Sequence, residues 1–388
     1  MKILHTSDWH IGHSLYNYDR TQEQKTMLMQ IANIVETHKP DVMLICGDVY
    51  HTSQPSAAVQ TMLTEAIVNI HRAYPDMTIV MTAGNHDSAA KHEIFQTPWK
   101  ALKVYAIGQI NKENIDEHII TITGKGFIIA VPYCSDRNMP EDFFQSLLDK
   151  VQEINNDNLP VIMTAHTTVK GVDFTGHDHA NELTAGGIDA AELTAFGNGY
   201  DYLALGHIHK PQFVHTGNHN VRYSGTPIPI SFDEQYAHSV TIIEINQHGD
   251  TPKYEFIEIY NPWPLVTLPT NGYESWEDAK QLLINFPDEQ PAYIRLNVQI
   301  DDFLPVDAQI EAANLTSNKA CRFCLINAKR KAERRETQKY LSIQEFQQLE
   351  PIDIARRYAD DIGVNFNDEM QEMFITAIKR VEEERRNQ

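Results

Sequence analysis

A chain of 388 residues, 42% hydrophobic and 22% charged, can bury ordinary cores, and its length calls for two or three domains. The net charge of -21 excludes a protein that coats nucleic acid through its whole surface, because phosphate contacts need clustered Lys and Arg; a local site is still allowed. The longest apolar runs, such as residues 127–131 and 42–46, are far shorter than the roughly 20 residues of a membrane span, and the amino terminus enters a strand without a signal-like apolar core, so the expectation is a cytoplasmic protein with no membrane segment.

From residue 1 to about 260, strand-like runs alternate with helical ones, the pattern of an α/β domain. Strands are predicted over 2–6, 41–46, 78–82, 127–131, 160–165 and 202–205, and helices over 21–38, 56–72 and 140–154. After Tyr202 the helices thin out, and 212–215, 221–224, 239–245 and 254–259 read as a run of short antiparallel strands. Asn261-Pro262-Trp263-Pro264 marks a boundary, since two prolines exclude a continuing helix and disfavour a central strand. Residues 265–335 then mix strand-like 292–298 and 321–326 with helical 275–284 and end in a basic stretch, 329–335.

Residues 341–388 read as helical. Ser342 and Glu345 stand in capping-box spacing, flanked by Leu341 and Phe346 as a hydrophobic staple, and Pro351 opens a further helix. Met370, Met373, Phe374, Ala377, Ile378 and Val381 form one apolar stripe, which packs on the protein's own body or docks a partner. The four cysteines do not make a disulfide framework, and Cys321 and Cys324 form a C-x-x-C pair without the further ligands of a zinc site.

Five short motifs fall just after predicted strands: Asp8-Trp9-His10, Gly47-Asp48, Gly84-Asn85-His86-Asp87, His166, and Gly206-His207-Ile208-His209. In open α/β sheets, sites form beyond the carboxyl ends of the strands, so motifs distant in sequence can converge there. Asp, His and Asn are a nitrogen and oxygen set without thiolate, suited to Mn, Fe, Zn or Ni. Such a set can hold two ions if one carboxylate bridges them, the usual arrangement for displacement at phosphorus, and Asp48 is the natural bridge. The D-x-H and H-x-H spacings, if extended, put both side chains on one face. Any one of these residues alone is more often a cap or turn former. Gly176-His177-Asp178-His179 repeats the G-H-x-H form but follows no strand, whereas Gly206 follows Tyr202-Leu203-Ala204-Leu205 and is preferred.

These motifs, with the opening run from Lys2 to Gly12, the stretch Gly47-Asp48-Val49-Tyr50-His51, and the run from Tyr202 through His209 to Lys210-Pro211, resemble the calcineurin-like metallophosphoesterases. Within them they are similar to the SbcD nucleases of bacteria, counterparts of the Mre-eleven nucleases, and the similarity runs almost end to end. The resemblance implies a β-sandwich flanked by helices over 1–260, a small α+β domain over 265–335 that caps DNA, and a helical segment over 341–388 that grips an SbcC-like coiled-coil ATPase. It implies a homodimer within a heterotetramer, paired through helices near 56–72 and 91–103. It implies manganese-dependent hydrolysis of DNA, exonucleolytic on duplex and endonucleolytic on single strands and hairpins, serving repair, recombination and replication.

By the same resemblance, Asp8, His10, Asp48 and His209 hold one divalent ion, and Asp48, Asn85, His166 and His207 hold the other. His86 acts at the phosphate as proton donor or transition-state stabiliser, assisted by His51 and oriented by Asp87, in a titration range that suits imidazole. Lys210 and the basic stretch from Lys329 add contacts to the DNA backbone. The loop 171–182 departs from the Ser-Glu pair usual in such proteins, and the chain lacks G-x-x-x-x-G-K-[ST], so any ATP dependence belongs to a partner. The ligands alone leave open a metallophosphatase or cyclic-nucleotide phosphodiesterase, or a non-catalytic scaffold.

Overall fold

The segment Val42–Cys46 shows how these residues build the body. All five side chains are buried, and they divide with the two-residue period of a strand. Val42, Leu44 and Cys46 join an apolar cluster with Ile3, Ile128, Ile162 and Tyr202, whereas Met43 and Ile45 join another with Met27, Ile31, Val35 and Ile70. A strand apolar on both faces must lie between two layers. In the computed structural model it does. The structure describes residues 1–94, 96–135, 138–176, 190–214, 219–331, 351–361, 366–367, 370–376 and 378. Met1–Arg330 forms one compact unit and Lys331–Gln388 a second.

The first sheet has the order β12 (Lys253–Glu258), β11 (Ser239–Glu244), β1 (Lys2–Thr6), β2 (Val42–Cys46), β3 (Thr78–Thr82), β4 (Val104–Ile107). The second has the order β5 (Ile119–Ile122), β6 (Gly126–Ala130), β7 (Val161–His166), β8 (Tyr202–Gly206), β10 (Val221–Tyr223), β9 (Gln212–Phe213). Strands β1 to β4 are parallel, as are β6, β7, β8 and β10. The sheets face each other across the cluster of Ile3, Leu44, Ile128 and Ile162. Helices α1 (Thr21–His38) and α2 (Ala57–Ala73) cover the outer face of the first, and the helix Phe143–Ile154 covers that of the second. This is the expected β-sandwich flanked by helices. Local chemistry sets the helix ends: Ser56 Oγ accepts the Val59 N–H to start α2, and Lys39 closes α1 in a left-handed conformation.

The segments after Tyr202 do not form the single antiparallel run expected of them. β10 lies parallel to β8, with Val221 opposite Leu203, while β11 and β12 return to the first sheet beside β1. Apolar alternation marks a strand as buried but does not say which strand lies beside it. β4 and β5, of four residues each, are too short for their period to register in the sequence.

A third sheet of β13 (Leu265–Leu268), β14 (Tyr293–Ile300) and β15 (Arg322–Arg330) is wholly parallel. The helices Trp276–Asn285 and Ala308–Thr316 pack on it around Leu283, Leu296, Val298 and Ala312. Elsewhere Tyr293 and Cys324 pack with Leu15 and Phe232 from the sandwich, Tyr293 Oη donating to buried Glu23 at 2.5 Å and Arg322 donating to the Asp19 carbonyl at 3.1 Å. Cys321 and Cys324 enter different clusters, so their thiols serve packing in separate places.

In the second unit, Pro351 opens the helix Pro351–Asp361. Arg356 donates to Gln371 at 2.9 Å, and the Phe366 and Phe374 rings meet edge to face at 6.5 Å. Met370 and Met373 are exposed. The capping box at Ser342 and Glu345, the stripe residues Ala377 and Val381, residues 332–335 of the basic stretch, and His177, Asp178 and His179 lie outside the described residues.

Candidate metal centre

Parallel strands of both sheets deliver the site residues from their carboxyl ends. Asp8 and His10 follow β1, Asp48 follows β2, and Asn85 and His86 follow β3 from the first sheet; His166 ends β7, and His207 and His209 follow β8 from the second. The D-x-H and H-x-H segments are not extended. Asp8, His10, Asp48 and His207 have φ of 52°, 43°, 48° and 99°, conformations that cost a non-glycine residue on the order of 1–3 kcal/mol each and gather at functional sites. The twist separates the two histidines of H-x-H: His209 joins Asp8 and His10, while His207 joins Asp48 and His166, the ligand atoms of each group lying within 4.8 Å of one another. Glycine is required where the loops touch. A Cβ on Gly84 would stand 2.1 Å from Asp48 Oδ1, and one on Gly206 would stand 1.7 Å from the Cys46 carbonyl oxygen.

Hydrogen bonds orient each ligand. His166 donates from Nδ1 to the Cys46 carbonyl at 2.9 Å, so the lone pair of its neutral ring is on Nε2. That atom faces Asn85 Oδ1 at 3.1 Å and Asp48 Oδ2 at 3.3 Å, and Asn85 Oδ1 also meets His207 Nδ1 at 3.1 Å. Lone pairs converging in this way need a cation among them. His10 Nε2 is buried without a partner, 3.8 Å from Asp48 Oδ2. His209 Nδ1 bonds to Glu234 Oε1 at 3.0 Å, and Asp8 accepts from Ser7 Oγ at 2.5 Å and from the His207 N–H at 3.0 Å. The residues therefore fit two divalent ions: orphaned nitrogen, unbalanced carboxylates and outer partners that fix the ring tautomers are the marks of a metal site.

The rim differs from the floor. Asp8, His10, Asp48, His166 and His209 are buried, whereas Asn85 is exposed and His51, His86 and His207 are half-buried, so the latter four are the ones open to solvent. His86 donates from Nδ1 to the His51 carbonyl at 2.9 Å, which leaves Nε2 unengaged, and its ring stacks on that of His51 at 5.7 Å. Asp87 accepts from the N–H groups of Gly84, Val49 and Tyr50 at 2.9–3.1 Å. It thus ties the His86 turn to the loop after β2, and the His86 ring itself is oriented by His51. Lys210 pairs with Asp173. Ser7, which lies in the opening run and meets Ser224 Oγ at 2.7 Å, completes the surroundings with Glu234 and the Cys46 carbonyl; no motif marks Ser224 or Glu234 in the sequence.

Burial opposes charge on both members of the His166–Asp48 pair, but their mutual attraction outweighs it. Asp48 is held well below the usual carboxylate range by His166, His10 and His86, and His166 is raised from 6.5 to about 9 by Asp48, then Asp8 and the Cys46 carbonyl. Burial raises Asp8. In the metal-free protein a proton on His166 occupies the place a metal would take. Because its folded value lies above 6.5, its contribution to stability is fully present below pH 6.5 and is lost as pH rises through about 9. Metal binding must expel that proton. The thermal midpoint of the chelated protein is thus expected to fall between pH 6.5 and 9 while manganese affinity rises across the same interval; an affinity flat over that interval would contradict this pairing.

Residues 1–211 match the calcineurin-like phosphoesterase family. The chain is 29% identical over 300 residues to the SbcD subunit of the SbcCD nuclease of Rhodobacter capsulatus, covering 70% of this chain and 72% of that protein. It is 26% identical over 416 aligned positions to the SbcD subunit of Escherichia coli strain K12, covering 97% and 98%. To its counterpart in Staphylococcus epidermidis it is 31% identical over 263 residues, covering 64% and 67%. With the motifs at the strand ends and the sandwich that gathers them, the chain belongs to the calcineurin-like phosphoesterase family and, within it, to the SbcD branch.

Proposed function

We propose that this chain is the metal-dependent DNA nuclease component of an SbcCD-type complex, hydrolysing phosphodiester bonds at duplex ends and in single strands or hairpins during repair, recombination and replication. The carrying observation is the pair of ligand groups, Asp8–His10–His209 and Asp48–His166–His207, set side by side at one sandwich edge beside the half-buried His86. Asp8, His10, Asp48 and His209 would hold one ion, and Asp48, Asn85, His166 and His207 the other. Manganese fits a nitrogen and oxygen set without thiolate. When bound, two such ions supply Lewis-acid chemistry, acidifying a water and offsetting charge on the phosphodiester.

The chain's own residues position and protonate. With Nδ1 committed to the His51 carbonyl, the protonated His86 ring has only Nε2–H to offer, and gives it to the leaving oxygen or to charge developing on the phosphate. The His51 ring stacks on that ring, and Asp87 fixes the turn that carries it.

Residues 265–335 form the domain that caps DNA in this reading, with Lys329 and Arg330 exposed at the end of β15. Residues 341–388 dock an SbcC-like coiled-coil ATPase, a role supported by the exposed Met370 and Met373. The homodimer forms through residues 56–72 and 91–103, where the structure has the helix Ala57–Ala73 and, in place of one helix over 91–103, the short helices Ala89–Glu93 and Gln96–Lys100, within a heterotetramer. Among the described residues no helix is long and apolar enough to cross a membrane, and the cytoplasm is the proposed location.

End-labelled duplex and hairpin DNA incubated with the protein and manganese, beside a phosphomonoester, tests the reading. DNA cleavage is expected. Turnover of the monoester alone would make the protein a phosphatase.

A further inference from the structure

The loop Phe232-Asp233-Glu234 belongs to no motif, yet it touches both the metal centre and the small sheet. The Glu234 side chain has no solvent exposure, a place where a carboxylate must be balanced by donors. Its Oε1 accepts from His209 Nδ1 at 3.0 Å, and its Oε2 accepts from Thr226 Oγ1 at 3.0 Å and the Ile230 N–H at 3.3 Å. A carboxylate only accepts, so the hydrogen of this bond sits on His209 Nδ1 and the lone pair of the neutral ring is left on Nε2 for the group of Asp8 and His10.

The two residues before Glu234 are held from the other side. Arg295 of β14 donates from Nη1 to Asp233 Oδ1 at 2.5 Å and from Nη2 to the Phe232 carbonyl at 3.4 Å, and its guanidinium lies 5.4 Å from the Phe232 ring centre. Its Nε is tied to Thr267 of β13 at 3.1 Å. One three-residue segment is therefore clamped by the small sheet at Phe232 and Asp233 and grips a ligand histidine at Glu234.

We infer that Glu234 is a positioning residue for the metal site of Asp8, His10 and His209, and that Arg295 makes the placement of that site depend on the small sheet. The inference rests on the two-metal reading above. It gives residues 265–335 a second task beside contact with substrate, since the same sheet holds a ligand in place.

Calorimetric titration of the chelated full-length chain with manganese separates the two ideas. The wild type is expected to show two binding events, and His209→Ala identifies the one that belongs to this site by abolishing it. Glu234→Gln keeps the side-chain volume but turns an NH2 toward groups that donate to the carboxylate. It should weaken that event about ten- to a hundredfold and leave the other within about threefold, the scale of outer-ligand substitutions. Arg295→Ala, at a partly exposed position that tolerates truncation, should weaken the same event roughly two- to thirtyfold, the range of coupling through packed networks. Equal loss in both events, or no loss in either, would overturn the positioning role of Glu234; an unchanged titration of Arg295→Ala would overturn the link to the small sheet. Fewer than two events in the wild type would remove the two-metal reading itself before any variant is compared.

Discussion

Asp48→Ala is expected to abolish manganese-dependent cleavage of duplex and hairpin DNA, with a rate loss of roughly a thousandfold or more. The expectation follows from where this carboxylate sits. It lies 3.8 Å from His10 and 3.3 Å from His166, one residue from each ligand group, and its Oδ1 also accepts the His86 N–H at 2.9 Å. Removing it takes charge from both ion positions and frees the turn that presents His86. Loss of several kcal/mol of charge stabilisation at phosphorus corresponds to a factor of about a thousand, at about 1.4 kcal/mol per tenfold. Bound manganese, measured by elemental analysis after gel filtration, should fall with activity. A variant that still cut DNA at a tenth of the wild-type rate would place the chemistry elsewhere.

His86→Ala should lose cleavage by about a hundred- to ten-thousandfold, the usual worth of a positioned proton donor, while retaining manganese. The substitution keeps the backbone N–H that Asp48 accepts, so the metal floor is preserved and only the ring is lost. A competing possibility can be read from the same measurement. His10, His51 and His86 bring ring nitrogens within 4.8 Å of one another, close enough to hold an ion themselves. Metal content that drops along with activity would make His86 a ligand, and normal turnover would take it out of the mechanism.

Much of this was legible in the chain before any fold was built. The strands β1, β2, β3, β7 and β8 are apolar enough to be recognised, each ends at a polar cluster, and ligand-bearing motifs stand at those ends. Chemistry that needs particular side chains at particular strand ends leaves a local record, and so does a two-faced strand such as Val42–Cys46. The partition of the ligands was harder to read: His207 and His209 are two residues apart yet serve different groups, because positive φ at His207 turns the chain in a way that spacing alone does not report.

The sequence by itself determined most strands of the sandwich, the long helices that flank them and the candidate metal-binding residues, since burial period and donor chemistry are properties of short segments. Only the tertiary structure decided which strands are neighbours, that β10 runs parallel to β8, that His86 is held by the His51 carbonyl, and that Glu234 supports His209. Each of these is a contact between residues distant in sequence or between a side chain and a backbone group. Such contacts are chosen by the packing of two sheets and their loops, and a glutamate in a loop carries no mark of the histidine it will meet.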